Sequence, residues 1–81
     1  MDTNQIIDEL NNIFRNVLNN KDINLTPDTT AKDVAKWDSL SNIHLVVEIE
    51  AHFKVRFKTS EIQEWKNVGD LISSLQKKLN A

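Results

Sequence analysis

Apolar residues recur at helical spacing in three parts of the chain. The first stripe predicts a helix from about Ile6, and Asp2 with Gln5 gives it a capped start. The second predicts a helix that Asp38 caps and that runs to about Phe53. The third predicts the last helix. The apolar positions of the three stripes are Ile6, Leu10, Ile13 and Val17; Leu40, Ile43, Val46 or Val47, Ile49 and Phe53; and Val68, Leu71, Ile72, Leu75 and Leu79.

The segment between the first two stripes, residues 19–36, loses the periodicity and carries the only proline, so it predicts a long loop. Leu25 and Val34 are the apolar residues that we expect to hold this loop on the core. Asn67 is expected to cap the last helix, because its side chain can accept from a free N–H group of the first turn.

Residues 54–58, KVRFK, alternate charged and apolar positions, which is a pattern typical of a strand. One such run without a partner strand cannot build a sheet, so we expect an extended connector with Val55 and Phe57 pointing inward. Ser60 and Gln63 predict a capping box that opens a short helix through residue 65. The predicted fold is therefore an all-α four-helix bundle in one domain, residues 1–81, with three longer helices, a short third helix and a long loop between helices 1 and 2.

The composition agrees with this fold and excludes several functions. One glycine and one proline in 81 residues leave few turn formers for a β protein. A net charge of −2 argues against nucleic-acid binding, which needs a basic face. Without cysteine there is no disulfide or thiolate chemistry. The N-terminal residues resemble neither a signal peptide nor a membrane span, so we expect a soluble, cytoplasmic protein.

Ser39 is the first candidate for chemistry, as a nucleophile. It would need a base within hydrogen-bond reach. The histidines are His44 and His52, and His44 lies about 140° around the helix from Ser39, at about 100° per residue. We therefore expect no catalytic triad and no catalytic residue in this chain.

A metal site is the second candidate. His44, Glu48 and His52 are spaced four residues apart and would share one face of helix 2. No fourth ligand clusters with them in the sequence, so a solvated polar face is the favoured interpretation, and no metal is predicted.

The third candidate is attachment of a group to Ser39. This residue follows the cap, where backbone N–H groups lack intrahelical partners and the helix dipole presents partial positive charge. Such a place suits a phosphodiester on the serine oxygen, and a second enzyme can supply the base. The alternative is a serine that is merely favourable at a helix start, because Asp-Ser is a common dipeptide.

A larger pattern decides between these two interpretations. Its elements are Asp38-Ser39-Leu40 opening helix 2, then Ile43, Leu45, Val46, Ile49 and Phe53, then Val55 and Phe57, Glu61, and finally Val68-Gly69-Asp70 with Ile72. With the long loop before it, this pattern resembles the acyl carrier proteins and the related peptidyl carrier domains over nearly the full length of the chain.

The resemblance implies that 4′-phosphopantetheine from coenzyme A is attached to Ser39, between Asp38 and Leu40, by a separate Mg-dependent phosphopantetheinyl transferase. The thiol of that arm would carry acyl or aminoacyl groups as thioesters between acyl-loading and acyl-using enzymes. In members of the family the helical core can part slightly to shelter an acyl chain. The protein would thus be a non-catalytic carrier, and we expect a monomer.

Two features depart from the fatty-acid carriers of this family. Lys36-Trp37 stand where those carriers typically have glycine and a small residue, and helix 2 is less acidic than theirs. Because charge complementarity selects partners, we predict a dedicated biosynthetic pathway rather than bulk fatty-acid synthesis. The residues predicted to dock partner enzymes are Trp37, Ser41, Asn42, His44 and Glu48.

Two other classes of function stay open from the sequence. A carrier-like helical module that keeps Ser39 unmodified would act only by binding a partner protein. A small DNA-binding domain is disfavoured, since the lysines and arginines make local basic spots without a basic stripe along a candidate recognition helix.

Overall fold

The computed structural model describes residues 2–79, and in this range it contains helices and connecting loops and no strand. The four α-helices are α1 (Thr3–Val17), α2 (Ser39–Phe53), α3 (Thr59–Gln63) and α4 (Val68–Leu79), and a single 3-10 turn, Ala31–Asp33, lies in the loop before α2. The predicted all-α class, the short third helix and the long loop after α1 are confirmed. The predicted domain limits include residues 1, 80 and 81, which lie outside the described residues.

The predicted caps of the first and last helices are confirmed. The backbone N–H of Gln5 donates to Oδ1 of Asp2 over 2.8 Å, and the Asp2 N–H donates back to Oε1 of Gln5 over 3.0 Å. In α4 the N–H of Asp70 donates to Oδ1 of Asn67 over 2.9 Å. Each contact satisfies an N–H group that has no partner inside its helix, which is why the two helices begin where they do.

The capping box predicted from Ser60 and Gln63 is wrong. The helix α3 begins at Thr59, and it is the N–H of Lys58 that donates to Oε1 of Glu61 over 2.9 Å. The carboxylate of Glu61, three residues beyond the last extended residue, closes this turn, whereas Ser60 is already the second residue of the helix and cannot cap it. The helix also ends at Gln63 rather than at residue 65.

One hydrophobic core joins α1, α2, α4 and the loop. Its most buried members are Ile6, Leu10, Phe14, Leu45, Ile49, Val68 and Leu75. Val55 and Phe57 are partly buried against this core, which confirms that the connector after α2 turns its apolar side chains inward. The helix α1 contacts both α2 and α4, so α2 is held on a packed support.

The buried face predicted for α2 is partly wrong. Leu40 and Ile43 are 78% and 64% exposed, whereas Leu45, which was not assigned to that face, is 1% exposed. Ile49 and Phe53 are buried as predicted. This helix carries apolar residues on most of its sides, so spacing alone does not single out the side that packs on α1.

The long loop is fixed to the helices at both of its sides. Leu25 and Val34 are buried, as predicted. Arg15 of α1 donates from Nε to the carbonyl oxygen of Ile23 over 2.8 Å. At the other side, Pro27 offers its carbonyl oxygen to the N–H of Gly69 over 2.8 Å. A Cβ at Gly69 would lie 3.0 Å from that oxygen, so a larger residue there would push the loop away from α4 by a few tenths of an ångström, and glycine allows the close approach.

Candidate functional site

Ser39 is the first residue of α2, and its side chain is exposed. Oδ1 of Asp38 accepts from the N–H groups of Leu40, over 3.0 Å, and of Ser41, over 2.9 Å. The hydroxyl of Ser41 accepts from the Asp38 N–H over 2.9 Å and donates to the carbonyl oxygen of Lys36 over 2.7 Å. Within residues 2–79 the Ser39 hydroxyl makes no hydrogen bond. The hydrogen bonds of the cap thus fix the backbone of the first turn of α2 without using the Ser39 side chain.

The Asp38 cap predicts a dependence of stability on pH. The pKa of Asp38 lies below its ordinary value of 3.8, mainly because the Ser41 N–H donates to the carboxylate. A lowered pKa means that folding favours the ionised carboxylate. The cap therefore makes its full contribution to the free energy of unfolding at pH values above the ordinary pKa, and this contribution is lost as the pH falls through the lowered pKa.

We expect Asp38→Asn to unfold at a lower urea concentration than the parent at neutral pH, and the difference between the two midpoints to shrink as the pH falls below 3.8. Asparagine keeps an acceptor oxygen at the cap but does not titrate, so the comparison isolates the charge. Urea unfolding followed by circular dichroism at a series of pH values measures the two midpoints. A gap that stayed constant down to acid pH would contradict this assignment.

Lys36, three residues before the serine, has a left-handed backbone with φ of 69°. Side chains other than glycine carry a steric cost in this conformation. The turn that aims the chain into α2 therefore retains strain, and the hydrogen bond from Ser41 to the Lys36 carbonyl holds it in place.

Lys36→Gly is expected to raise the free energy of unfolding by up to about 1 kcal/mol relative to Lys36→Ala, because glycine removes the Cβ that the left-handed backbone disfavours. Both variants lose the same charge, so their difference reports the backbone alone. Urea denaturation measures it. A Lys36→Ala variant as stable as Lys36→Gly would show that the turn is unstrained.

A pocket of about 240 Å³ opens beside Ser39, between the start of α2 and the segment that joins α3 to α4. We call it the Ser39 pocket. Its walls include Trp37, Asn42, Ile62, Trp65 and Leu71. The Trp37 indole N–H donates to Oδ1 of Asn42 over 3.0 Å, so the two residues form one continuous wall.

Three large apolar side chains of α2 face solvent, namely Leu40, Ile43 and Val47, which are 78%, 64% and 54% exposed. Their spacing of three and then four residues puts them on one side of the helix, beginning next to Ser39. We call them the exposed strip. Large apolar groups in a row on the surface mark a place where another protein can bind.

The predicted docking residues fall into two groups. Trp37, Asn42 and Ser41 are partly buried and hydrogen-bonded within the site. His44 and Glu48 are exposed, with His44 Nε2 lying 3.8 Å from Glu48 Oε1. Sequence reasoning placed Leu40 beside the attachment point and also, with Ile43, on the buried face of α2, and it gave Trp65 no site role. The three-and-four spacing of the exposed strip shows that its residues share one side of α2, but it does not show that this side faces solvent, and nothing local marks Trp65 as a neighbour of Ser39.

Both histidines lie near glutamates and do not contact Ser39. His52 Nε2 lies 2.6 Å from Oε2 of Glu9 on α1, which ties it across the helix interface rather than into a ladder with His44. In the described range no three residues among His, Cys, Asp and Glu are grouped so that they could hold a metal ion. No helix in that range has the length and apolar character needed to cross a membrane.

The comparisons with known proteins agree with this geometry. The family model described as phosphopantetheine attachment site matches residues 8–75. The chain is similar to the holo acyl carrier protein from Geobacter metallireducens, whose solution NMR structure gives a TM-score of 0.86 at 46% sequence identity, covering 91% of this chain and 85% of that one. No curated protein matches the chain. The family model covers most of the chain, and the protein therefore belongs to the acyl carrier protein family, carriers with a covalently attached 4′-phosphopantetheine.

Proposed function

We propose that Ser39 Oγ is the point of attachment of 4′-phosphopantetheine in this carrier. The observation that carries the proposal is the free, exposed Ser39 hydroxyl at the first residue of α2, beside a pocket. The positive end of the helix dipole favours a phosphate at this position. The neighbouring hydroxyl of Ser41 is engaged in the cap, which makes it unsuited to modification.

The residues of this chain position the group and perform no chemistry on it. Asp38 and Ser41 fix the first turn of α2. His44 faces Glu48, and His52 is paired with Glu9, so neither histidine serves Ser39 as a base. A separate phosphopantetheinyl transferase must therefore bring the base and the metal ion. When bound, the cofactor supplies a thiol on a flexible arm, which holds acyl or aminoacyl groups as thioesters at high local concentration for partner enzymes.

The exposed strip is the surface that we propose for docking partner enzymes, with His44 and Glu48 at its edge. A partner that binds beside the attachment point can bury this apolar patch, and the carrier's own core is not disturbed because the patch is not part of it. Trp37 and Asn42 contribute by lining the Ser39 pocket, and Ser41 contributes by fixing the first turn of α2. Among these enzymes are the transferase and the acyl-loading and acyl-using enzymes.

A dedicated biosynthetic pathway is part of the proposal, and the charges around Ser39 support it. The carboxylate of Asp38 is used by the cap, and Oε2 of Glu50 accepts from the N–H of Phe57 over 2.8 Å. Glu48 is then the one acidic side chain of α2 that is exposed and not hydrogen-bonded to backbone in the described range. Efficient use of the modified protein by housekeeping ketosynthases would contradict the proposal of a dedicated pathway.

A second candidate function is a carrier-like module that binds partners without modification, which the exposed strip favours because its apolar surface does not depend on Ser39. Incubation with coenzyme A, Mg²⁺ and a promiscuous phosphopantetheinyl transferase, followed by intact mass measurement, separates the two. Addition of one phosphopantetheine supports the carrier, and an unchanged mass supports the module. The cytoplasmic location and the monomeric state stay predictions from the sequence.

A further inference from the structure

We infer that the partner enzymes of this carrier present carboxylates to the far end of the exposed strip, opposite Lys54 and Arg56, and apolar groups to the end beside Ser39. This inference rests on the proposed attachment and docking, and it adds the charge that the partner surface must carry. It starts from the KVRFK segment, residues 54–58, whose charged side chains the proposed function does not use.

The KVRFK segment turns two of its cations away from the core. It follows the end of α2 as an extended connector, in which alternate side chains point to opposite sides. Val55 and Phe57 are packed on the core, and Lys54 and Arg56 are exposed. Within residues 2–79 neither of these two cations makes an ion pair. Both charges can therefore meet a carboxylate that another protein brings.

These two cations are continuous with the exposed strip. Lys54 lies seven residues after Val47, just beyond the end of α2, and seven residues make nearly two helical turns, so it extends the strip on the same side. Val47, Lys54 and Arg56 line one groove on the surface. Along the helix axis Lys54 is about 22 Å from Ser39, at about 1.5 Å per residue. The strip is thus apolar beside the attachment point and cationic at its far end.

The balance of charge in this groove is positive. Among the described residues Glu50 is the one carboxylate in the lining, and its Oε2 accepts from the Phe57 N–H over 2.8 Å. Two cations and one carboxylate leave the groove with a net charge of +1. Lys58 does not line the groove, and its N–H donates to Glu61 at the start of α3. A further carboxylate at the groove is therefore attracted rather than repelled.

Arg56 carries the inference further than Lys54 does. A cation is favoured at the C-terminal end of any helix, which gives Lys54 a local explanation. Arg56 lies in the connector beyond that end, where this explanation does not apply. The planar guanidinium of an arginine can donate to both oxygens of a carboxylate at once, so such a contact fixes the orientation of the partner as well as its charge.

A protein matches this surface, whereas a membrane or a nucleic acid does not. Recruitment to anionic lipid takes clusters of about four to eight lysines and arginines, and nucleic acid needs a basic stripe or face. The strip ends in two cations, and the chain as a whole has a net charge of −2. An apolar patch with charges at its rim is the usual composition of a protein interface, in which the charges select the partner.

The test uses isotope-labelled protein whose phosphopantetheine arm is verified by intact mass, titrated with two synthetic helical peptides. Both peptides have leucines along one face. One carries a pair of glutamates two turns beyond the last leucine, and the other carries lysines there. Amide shifts in NMR spectra give the dissociation constants and map the contact.

We expect the glutamate peptide to bind about tenfold more tightly than the lysine peptide at low salt, because each exposed ion pair contributes about threefold. The amide shifts should lie along the exposed strip and the connector. The preference should fall to within about twofold in about 0.5 M NaCl, where charges more than about 4 Å apart are screened.

Charge variants assign the preference to the two cations. Lys54→Gln combined with Arg56→Gln should abolish it and keep the contact with the leucines. Lys54→Glu combined with Arg56→Glu should make the lysine peptide the tighter ligand. Lys21→Glu combined with Lys32→Glu, two exposed changes in the long loop, gives the same change in net charge and should keep the parent's preference. Circular dichroism verifies folding, and the glutamine pair decides the outcome if the glutamate pair does not fold.

Equal binding of the two peptides, a preference that survives the glutamine pair, or amide shifts away from α2 and the connector would overturn the inference and leave attachment at Ser39 intact. Binding to vesicles of phosphatidylglycerol and phosphatidylcholine that the glutamine pair removes would also overturn it, because the cations would then serve a membrane. An unchanged mass after incubation with coenzyme A, Mg²⁺ and the transferase overturns the proposed function, whatever the peptides show.

Discussion

Replacing Ser39 with alanine is expected to abolish the mass gain of one phosphopantetheine that coenzyme A, Mg²⁺ and a phosphopantetheinyl transferase give to the parent protein. The reaction needs the serine oxygen as its nucleophile, and the nearest other hydroxyl, that of Ser41, is held between the Asp38 N–H and the Lys36 carbonyl. Intact mass spectrometry after exhaustive incubation measures the outcome as all or none.

Ser41→Ala is the matched control for this result. It removes a hydroxyl two residues away and the hydrogen bonds of the cap, so we expect a lower urea midpoint. Modification should persist because Ser39 is intact. Ser39→Ala should keep the parent's stability within about 0.5 kcal/mol, since the side chain is exposed and makes no hydrogen bond in the described range. A modified Ser39→Ala protein would place the attachment elsewhere.

The fold was predictable from sequence where local rules act alone. The caps at Asp2, Asp38 and Asn67 depend on side chains that bond N–H groups two or three residues away, and all three are confirmed. The loop anchors Leu25 and Val34 were readable as isolated apolar residues in a polar segment. For α3 the same kind of rule selected Ser60 with Gln63, whereas the contact that forms joins the Lys58 N–H to Glu61, and lysine is not a residue that the capping rule favours.

The side of α2 that packs was not predictable in full. Leu40, Ile43 and Leu45 are all apolar, and only the approach of α1 decides that Leu45 is buried and the other two are exposed. Ser39 was found from a pattern spread over the chain rather than from its own neighbours. The Ser39 pocket depends on Trp65, far from Ser39 in sequence, and such a long-range neighbour needs the three-dimensional fold.

Leu40 and Ile43, which the sequence placed on the buried face of α2, are expected to contribute to docking of the transferase instead. Leu40→Gln combined with Ile43→Gln is expected to lower kcat/KM for modification by the transferase by about 10- to 100-fold, since residues at the centre of an interface each contribute on the order of 1 kcal/mol and about 1.4 kcal/mol is a factor of ten. Glutamine favours helices almost as well as leucine. Both positions are exposed, so the free energy of unfolding should change by less than about 0.5 kcal/mol. Initial rates over a range of carrier concentration measure the effect.

Single variants distinguish docking from a local disturbance of the attachment turn. Val47 lies eight residues beyond Ser39, about 12 Å along the helix, so Val47→Gln cannot act on the cap directly. If the exposed strip docks the transferase, Val47→Gln and Ile43→Gln each weaken modification and the losses accumulate along α2. Ser73→Gln places the same side chain on an exposed part of α4 and should leave the rate unchanged. A loss confined to Leu40→Gln would contradict docking along the strip, because only the residue that touches the cap would then matter.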